Sequence, residues 1–334
     1  MKFASAARMA ACVRVVTLLL AAAIAMLPVA SVHGQPYPAR PVHLIVPQPP
    51  GGQADVLGRV VGGRLSTFLG QSVIVENRGG ANGTIGASIV ARAPADGLTL
   101  LLAQSSNLPL ASLLMKDLPY RVDDFAAVGA IGRISYALAV HPRLPVRTIP
   151  ELVAYARAHP GELNYASSGV ASTSNIVFET LKRAENIDMV HIPFNGSAKA
   201  VNELASGRVD AVLTDLQHLL PLARDGTLRV IAVAGTVRSR PAPDVATVGE
   251  EGYPQLAVEP FYGIVAPAGT PAPIIAKLSD ALQRTLETSA VRSALDRLGI
   301  AALQTTPSQF ADMIRAELGT YRTLIEQAGI EAPN

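Results

Sequence analysis

The residues able to do chemistry in this chain are small and polar, and they recur at one kind of place, the end of a strand and the start of a helix. Gly51-Gly52 follow Pro49-Pro50 and precede Asp55, with the apolar run Val42–Val46 before them and Leu57, Val60, Val61, Leu65 and Phe68 at helical spacing after them. A Gly-Gly pair lets backbone approach a small molecule closely, and the first N–H groups of a helix, unpaired within it, accept a carboxylate or phosphate. Asp55 would repel an anion placed over that helix end, so it shapes the loop or takes an ammonium or hydroxyl group. The segment Ala103-Gln104-Ser105-Ser106-Asn107 stands at the end of a third strand, its hydroxyls and amides a second wall. Further polar clusters, 167–173, 195–197 and 214–215, end three later strands. One such cluster reads as a helix N-cap; several, on two separate units, read as facing rims of a cleft that holds an anion.

Catalytic patterns are missing from the sequence. It has no G-x-S-x-G elbow and no H-E-x-x-H, and His43, His141, His159, His191 and His218 are scattered without metal-ligand spacing. Asp215 could serve as a general base, but neither Ser167 nor Ser168 has a base beside it in sequence. A hydrogen bond to a ligand suits Asp215 better. Gly80, Gly83 and Gly86 resemble a dinucleotide fingerprint, yet they follow the second strand instead of the first, and tight packing of a helix on the sheet explains them. No cofactor and no metal are expected.

The elements that must position these groups alternate strand and helix. Strand 42–46, helix 53–69, strand 72–76, helix 84–92 and strand 98–102 make a βαβαβ unit, which implies a parallel sheet covered on both faces. After strand 136–140, Thr148-Ile149-Pro150-Glu151 is a capping box for helix 149–158, and the alternation restarts with strands 163–166, 189–193, 209–213 and 228–234, a helix from after Ser174 through about Ala184, and helix 198–205. Residues 236–256 read as a surface connection. Strand 260–267 returns toward the first unit, and helices 273–288, 290–298 and 307–328, the last opened by the box Thr306-Pro307-Ser308-Gln309, are expected to pack there. Crossings near 137–141 and 255–262 would form a hinge. The domains are thus 35–138 plus 258–334, and 139–257.

The first 34 residues are read as an export signal: Lys2, Arg8 and Arg14, the apolar run Leu18–Leu27, then a cleavage site near Gly34. That apolar run is too short to span a bilayer, which needs about 20 residues. Removing the signal removes three cations and Cys12, so a chain of net charge +2 becomes a cysteine-free one of net charge −1. Such a chain must be held by its own core in an oxidising compartment, which suits the bacterial periplasm, and nothing in its charge recommends nucleic acid or anionic membrane.

The ordered set V-P-Q-P-P-G-G-Q-A-D (46–55), V-E-N-R-G-G-A-N-G-T-I-G (75–86), L-N-Y-A-S-S-G (163–169), H-I-P-F-N-G-S-A (191–198), G-R-V-D-A-V-L-T-D (207–215), L-R-V-I-A-V (228–233) and A-P-A-G-T-P-A-P (266–273) resembles the periplasmic solute receptors of tripartite tricarboxylate transporters, the Bug family. The resemblance covers essentially the whole chain after the signal. It implies a type II periplasmic binding fold, two doubly wound α/β domains joined by a two-crossing hinge, acting as a monomer that is not an enzyme. It also implies a small organic acid as ligand and an integral membrane permease as partner. Carried onto matching positions, the ligand contacts are Gln48, Gly51, Gly52, Ala54 and Asp55 from the first loop, and Ser168, Ser172, Thr173, Ser197 and Asp215 from the second domain. Ser105, Ser106 and Asn107 close one side. The chain departs from the family pattern at Gln48, usually Phe; at Gln53-Ala54, usually Gly-Thr or Gly-Ser; at Val170-Ala171, usually Asn-Gly; at Asn175, usually His; and at Asn195, usually Lys. These positions are expected to set specificity. Two other outputs fit the same residues: signalling of the liganded form to a membrane sensor kinase, and a periplasmic hydrolase or isomerase working through Asp215 and a serine.

Overall fold

A computed structural model describes residues 37–170, 172–194 and 196–330. The export segment with its cleavage point, and the departures at Ala171 and Asn195, lie outside the described residues. In chain order the elements are β1 (Val42–Val46), α1 (Gln53–Leu69), β2 (Val73–Asn77), α2 (Thr84–Ala91), β3 (Thr99–Gln104), α3 (Pro109–Leu114), β4 (Phe125–Ile134) and β5 (Tyr136–Val140). There follow α4 (Ile149–Ala158), β6 (Asn164–Ser167), α5 (Thr173–Glu185), β7 (Val190–Pro193), α6 (Ser197–Ala205), β8 (Ala211–Asp215), α7 (Leu216–Arg224) and β9 (Arg229–Val233). The chain ends with β10 (Phe261–Pro267), α8 (Ala272–Glu287), α9 (Ser289–Leu298), β11 (Ile300–Ala302) and α10 (Pro307–Ala328).

Two sheets result. The first has the order β11-β4-β10-β3-β1-β2 and the second β7-β6-β8-β5-β9. β1 pairs parallel with β2 and β3, as a right-handed βαβ crossover requires. The wholly parallel sheet expected from the βαβαβ order stops there: β10 returns antiparallel between β3 and β4. In the second sheet β6 is parallel to β7 and β8, while β5 runs antiparallel to β8 and β9.

Both faces of each sheet are buried. Along β1 and β3, Leu44, Val46, Leu100 and Leu102 face Leu57 and Val61 of α1 with Leu278 and Leu282 of α8. Their neighbours Ile45, Leu101 and Ala103 face Ala87 and Val90 of α2 with Phe310 and Ile314 of α10. This two-sided burial explains why these strands read as continuous apolar runs instead of alternating ones. The second sheet is covered by α4 and α5 on one face and by α6 and α7 on the other.

Close packing fixes where α1 begins. A Cβ on Gly58 would stand 2.6 Å from Val46 Cγ2, so only glycine lets the helix press on β1 this tightly.

Two expectations about helix ends and packing are modified. Thr148 Oγ1 accepts from Glu151 N at 3.2 Å, but the Glu151 carboxylate reaches back to Arg147 N instead of closing the box. The box Thr306–Gln309 is complete in both directions. The C-terminal segment packs on the first sheet only through α8, α9 and the first half of α10; further along, Tyr321 and Leu324 are buried in the core of the second sheet. That helix therefore bridges both sheets, beside the strand crossing at Ser135 and the return into β10.

Candidate ligand-binding crevice

Three loops meet at the carboxyl ends of β1, β2 and β3. Gln48 Nε2 donates to Gln104 Oε1 at 2.9 Å, Asn77 Nδ2 donates to the Gln48 carbonyl at 3.1 Å, and Gly79 is so close to Pro49 that a Cβ would lie 2.9 Å from its nitrogen. Gly86 packs against Pro47 and Arg78 in the same manner, which accounts for the glycine spacing in 80–86 without a nucleotide.

At the head of α1, Gly51 takes φ +83° and Gly52 caps the helix with no side-chain bond. Asp55 is buried; its Oδ2 accepts from Gly51 N at 2.9 Å and its Oδ1 lies 2.9 Å from Arg59. The Gly51 N–H, foremost, holds this carboxylate below its ordinary range. Asp55 thus shapes the loop, one of its two sequence readings. Ala54 is wholly buried and can offer only its backbone.

In the next turn, Ser105 Oγ accepts from Phe261 N at 2.9 Å, and Ser106 Oγ reaches Gln104 Oε1 at 3.5 Å. Asn107 Oδ1 accepts from Gln104 N at 3.0 Å, and its carbonyl accepts from the Tyr120 hydroxyl. What this leaves over is specific: Gln104 Nε2 and Asn107 Nδ2 are buried with no hydrogen-bond partner among the described residues. Each such orphaned donor costs about 1–3 kcal/mol. Gln104 falls within the wall 103–107 expected from sequence, although the contacts singled out there were Ser105, Ser106 and Asn107.

The second rim is built the same way. Phe194 N donates to Ser167 O at 3.0 Å and Gly196 N to Ser168 O at 3.3 Å, so the turns after β6 and β7 lie side by side. Ser172 Oγ caps α5 by accepting from Asn175 N at 3.3 Å and donates to the Gly169 carbonyl at 2.7 Å. Ser197 begins α6, whose N-cap Gly196 has no side-chain bond. His191 Nε2 lies 2.7 Å from Ser167 Oγ, but that hydroxyl donates to the Gly169 carbonyl at 2.8 Å. The histidine is therefore a loop anchor and not the base of a nucleophile.

Asp215 ends β8 and stands at the N-cap position of α7, yet makes no capping bond. It is buried, its Oδ1 has no partner among the described residues, and its Oδ2 is 3.7 Å from His218 Nδ1. Burial pushes its carboxyl up to about 6 against the pull of His218. Its charge adds to burial in raising the phenols of Tyr136 and Tyr262. Because the Tyr262 hydroxyl donates to Gln53 Oε1 at 3.0 Å, these rings link Asp215 to the head of α1.

α10 ties the rims together. The Ser105 hydroxyl draws the Glu317 carboxyl down against burial, and one turn later the Tyr321 hydroxyl lies 3.0 Å from Thr173 Oγ1. Glu317 Oε2 is buried without a partner among the described residues, and burial pushes the carboxyl up to about 8. Glu317 carried no sequence signal, whereas Thr214, whose buried hydroxyl also lacks a partner among those residues, belongs to the expected cluster 214–215. A surface hollow of about 590 Å³ lies elsewhere, between α8 and Pro307; its one charged lining residue is Asp280, which would repel an acid. Among the described residues no cluster of His, Cys, Asp or Glu could hold a metal ion, and no helix is long and apolar enough to cross a membrane.

Residues 57–330 match the profile of the tripartite tricarboxylate transporter family receptor. Protein BugT of Bordetella pertussis is 36% identical over 303 residues, 90% of this chain and 93% of that protein. A Rhodopseudomonas palustris protein solved with adipate shares 32% identity and a TM-score of 0.79 over 88% of this chain and 99% of its own. MatC of the same organism, solved with bound malate, shares 32% identity and a TM-score of 0.76 over 86% of this chain and all of its own. These neighbours are solute-binding receptors, not enzymes.

Proposed function

We propose, proceeding from the fact that this chain belongs to the tripartite tricarboxylate transporter receptor family, that it captures a small organic acid between its two lobes and delivers it to an integral membrane permease. The chain is exported, its signal is removed near Gly34, and the mature protein works in the periplasm as a monomer. The lobes are 35–138 with 258–334, and 139–257. The observation that carries the reading is the convergence of three loops on the head of α1, where Arg59 pairs with the Asp55 carboxylate and the first-turn N–H groups left unpaired by the helix favour a ligand carboxylate. That adipate and malate occupy receptors of similar fold supports a carboxylate ligand here.

Within the crevice, Gly51, Gly52 and Ala54 offer backbone, and Gln48, Ser106 and Asn107 flank it. Ser168, Ser172 and Ser197 face the ligand from the second lobe, and Asp215 takes a hydroxyl or amino group. Asp55, Ser105 and Thr173 act by holding the rims, since their side chains are already bonded to Gly51, Phe261 and Tyr321.

Thermal unfolding of the signal-free protein against mono-, di- and tricarboxylates, aromatic acids and acidic amino acids tests capture. A true ligand at 100 times its Kd adds about 2.7 kcal/mol. A panel without a stabilising member refutes the proposal. Delivery is tested by crosslinking the ligand-loaded protein to membranes of its own host; recovery of a sensor kinase in place of a permease would replace transport by signalling.

A further inference from the structure

We infer that Gln104 and Asn107 form a donor-only subsite for one carboxylate oxygen of the ligand, and that Gln48 fixes its polarity; this rests on the receptor reading above. Gln104 is 6% exposed and Asn107 is fully buried. Both amides have their acceptor halves committed: Gln104 Oε1 to Gln48 Nε2 and Ser106 Oγ, Asn107 Oδ1 to Gln104 N. Both donor halves, Gln104 Nε2 and Asn107 Nδ2, are unmatched among the described residues. A turn whose other polar groups are satisfied, but which leaves two N–H₂ groups of the same sign unused, is complementary to an acceptor oxygen and to nothing that donates.

The position of the pair fits a carboxylate. Gln104 is the register partner of Tyr262, and Tyr262 bonds Gln53, the first residue of α1. Gln104 therefore lies beside the helix end whose N–H groups already favour negative charge, and Asn107 is tied to it in the same turn through its bond from Gln104 N. Gly83 packs closely on Asn107: a Cβ there would stand 3.2 Å from Nδ2, so any larger residue at 83 would crowd this donor. Gln48 is the orienting residue: its N–H₂ claims Gln104 Oε1, so the Gln104 N–H₂ cannot turn away. A phenylalanine at position 48 would leave the Gln104 amide free to rotate. The subsite reads a ligand carboxylate through neutral donors and rejects an amide or ammonium at the same place.

Calorimetric titration with adipate and malate, and then with the remaining acids of the panel, tests this on the signal-free protein. Gln104→Glu keeps shape but turns the donor into an anion, and Asn107→Asp removes the donor while keeping the acceptor that Gln104 N requires. Each is expected to weaken the acid bound by the parent at least 30-fold. Because each also buries a carboxyl, the melting temperature of the unliganded protein is expected to fall, and binding is read well below that transition. Gln48→Phe is expected to weaken binding about tenfold. If the parent binds no carboxylate, the receptor reading falls and the subsite with it. If the parent binds and both acidic variants bind within threefold, the subsite alone is wrong. Should the variants not fold, a crystal structure of the parent with its acid decides: a carboxylate oxygen within hydrogen-bond distance of both amide nitrogens supports the subsite, and one placed elsewhere overturns it.

Discussion

Asp215 shows at residue scale how a binding group can strain the empty protein. A carboxyl raised to about 6 in the fold, against 3.8 ordinarily, binds protons more tightly folded than unfolded. Its contribution therefore favours the fold below about pH 4 and is lost as pH rises toward 6. Asp215→Asn should flatten this part of the stability curve and leave the empty protein more stable at pH 7, by at most about 3 kcal/mol; urea unfolding at pH 4 and pH 7 checks it, and equal pH slopes in both proteins would contradict it. Glu317 obeys the same sign in a higher window: Glu317→Gln should abolish the loss of melting temperature that the parent shows as pH rises toward 8. Asp215 was legible in sequence because it ends an apolar strand and opens a helix. Gln104 was legible only as one amide of the wall 103–107 and Glu317 not at all, since what singles them out is a missing partner, and a partner is a property of three-dimensional packing.

At the scale of elements, local pattern carried far. The bounds of β1, α1, β5 and α4 match their expected spans, because apolar spacing with Gly, Pro and cap residues determines them within a few residues. The short α3 and β11 went unread, and α7 was expected only as a helix opening after 214–215; it begins at Leu216 without a cap bond from Asp215 and carries Pro221 inside. Insertion of β10 between β3 and β4 depends on pairings more than a hundred residues apart, which no window of sequence contains. The tight seat of α1 makes a sharp test. Gly58→Ala should cost about 1–3 kcal/mol by overpacking against Val46, measured by urea unfolding, and should weaken ligand binding as the head of α1 lifts.

For the whole molecule, two α/β lobes and two strand crossings were readable in advance, whereas the bridging course of α10 was not. Its first half rests on Phe310 and Ile314 and its second on Tyr321 and Leu324. Tyr321→Phe should cost about 1 kcal/mol by stranding the Thr173 hydroxyl, and it should loosen α10 from the second lobe, seen as faster amide exchange after Gly319. Gly319 itself is exposed, with open space around it, between the two seated halves. If one lobe swings while the other stays, this helix must flex like an elbow, and the glycine is where its rod is weakest. Gly319→Ala would then bring a trade: about 1 kcal/mol of added helix strength against slower capture in stopped-flow mixing. Unchanged capture rates would mean that the rod slides whole and never bends.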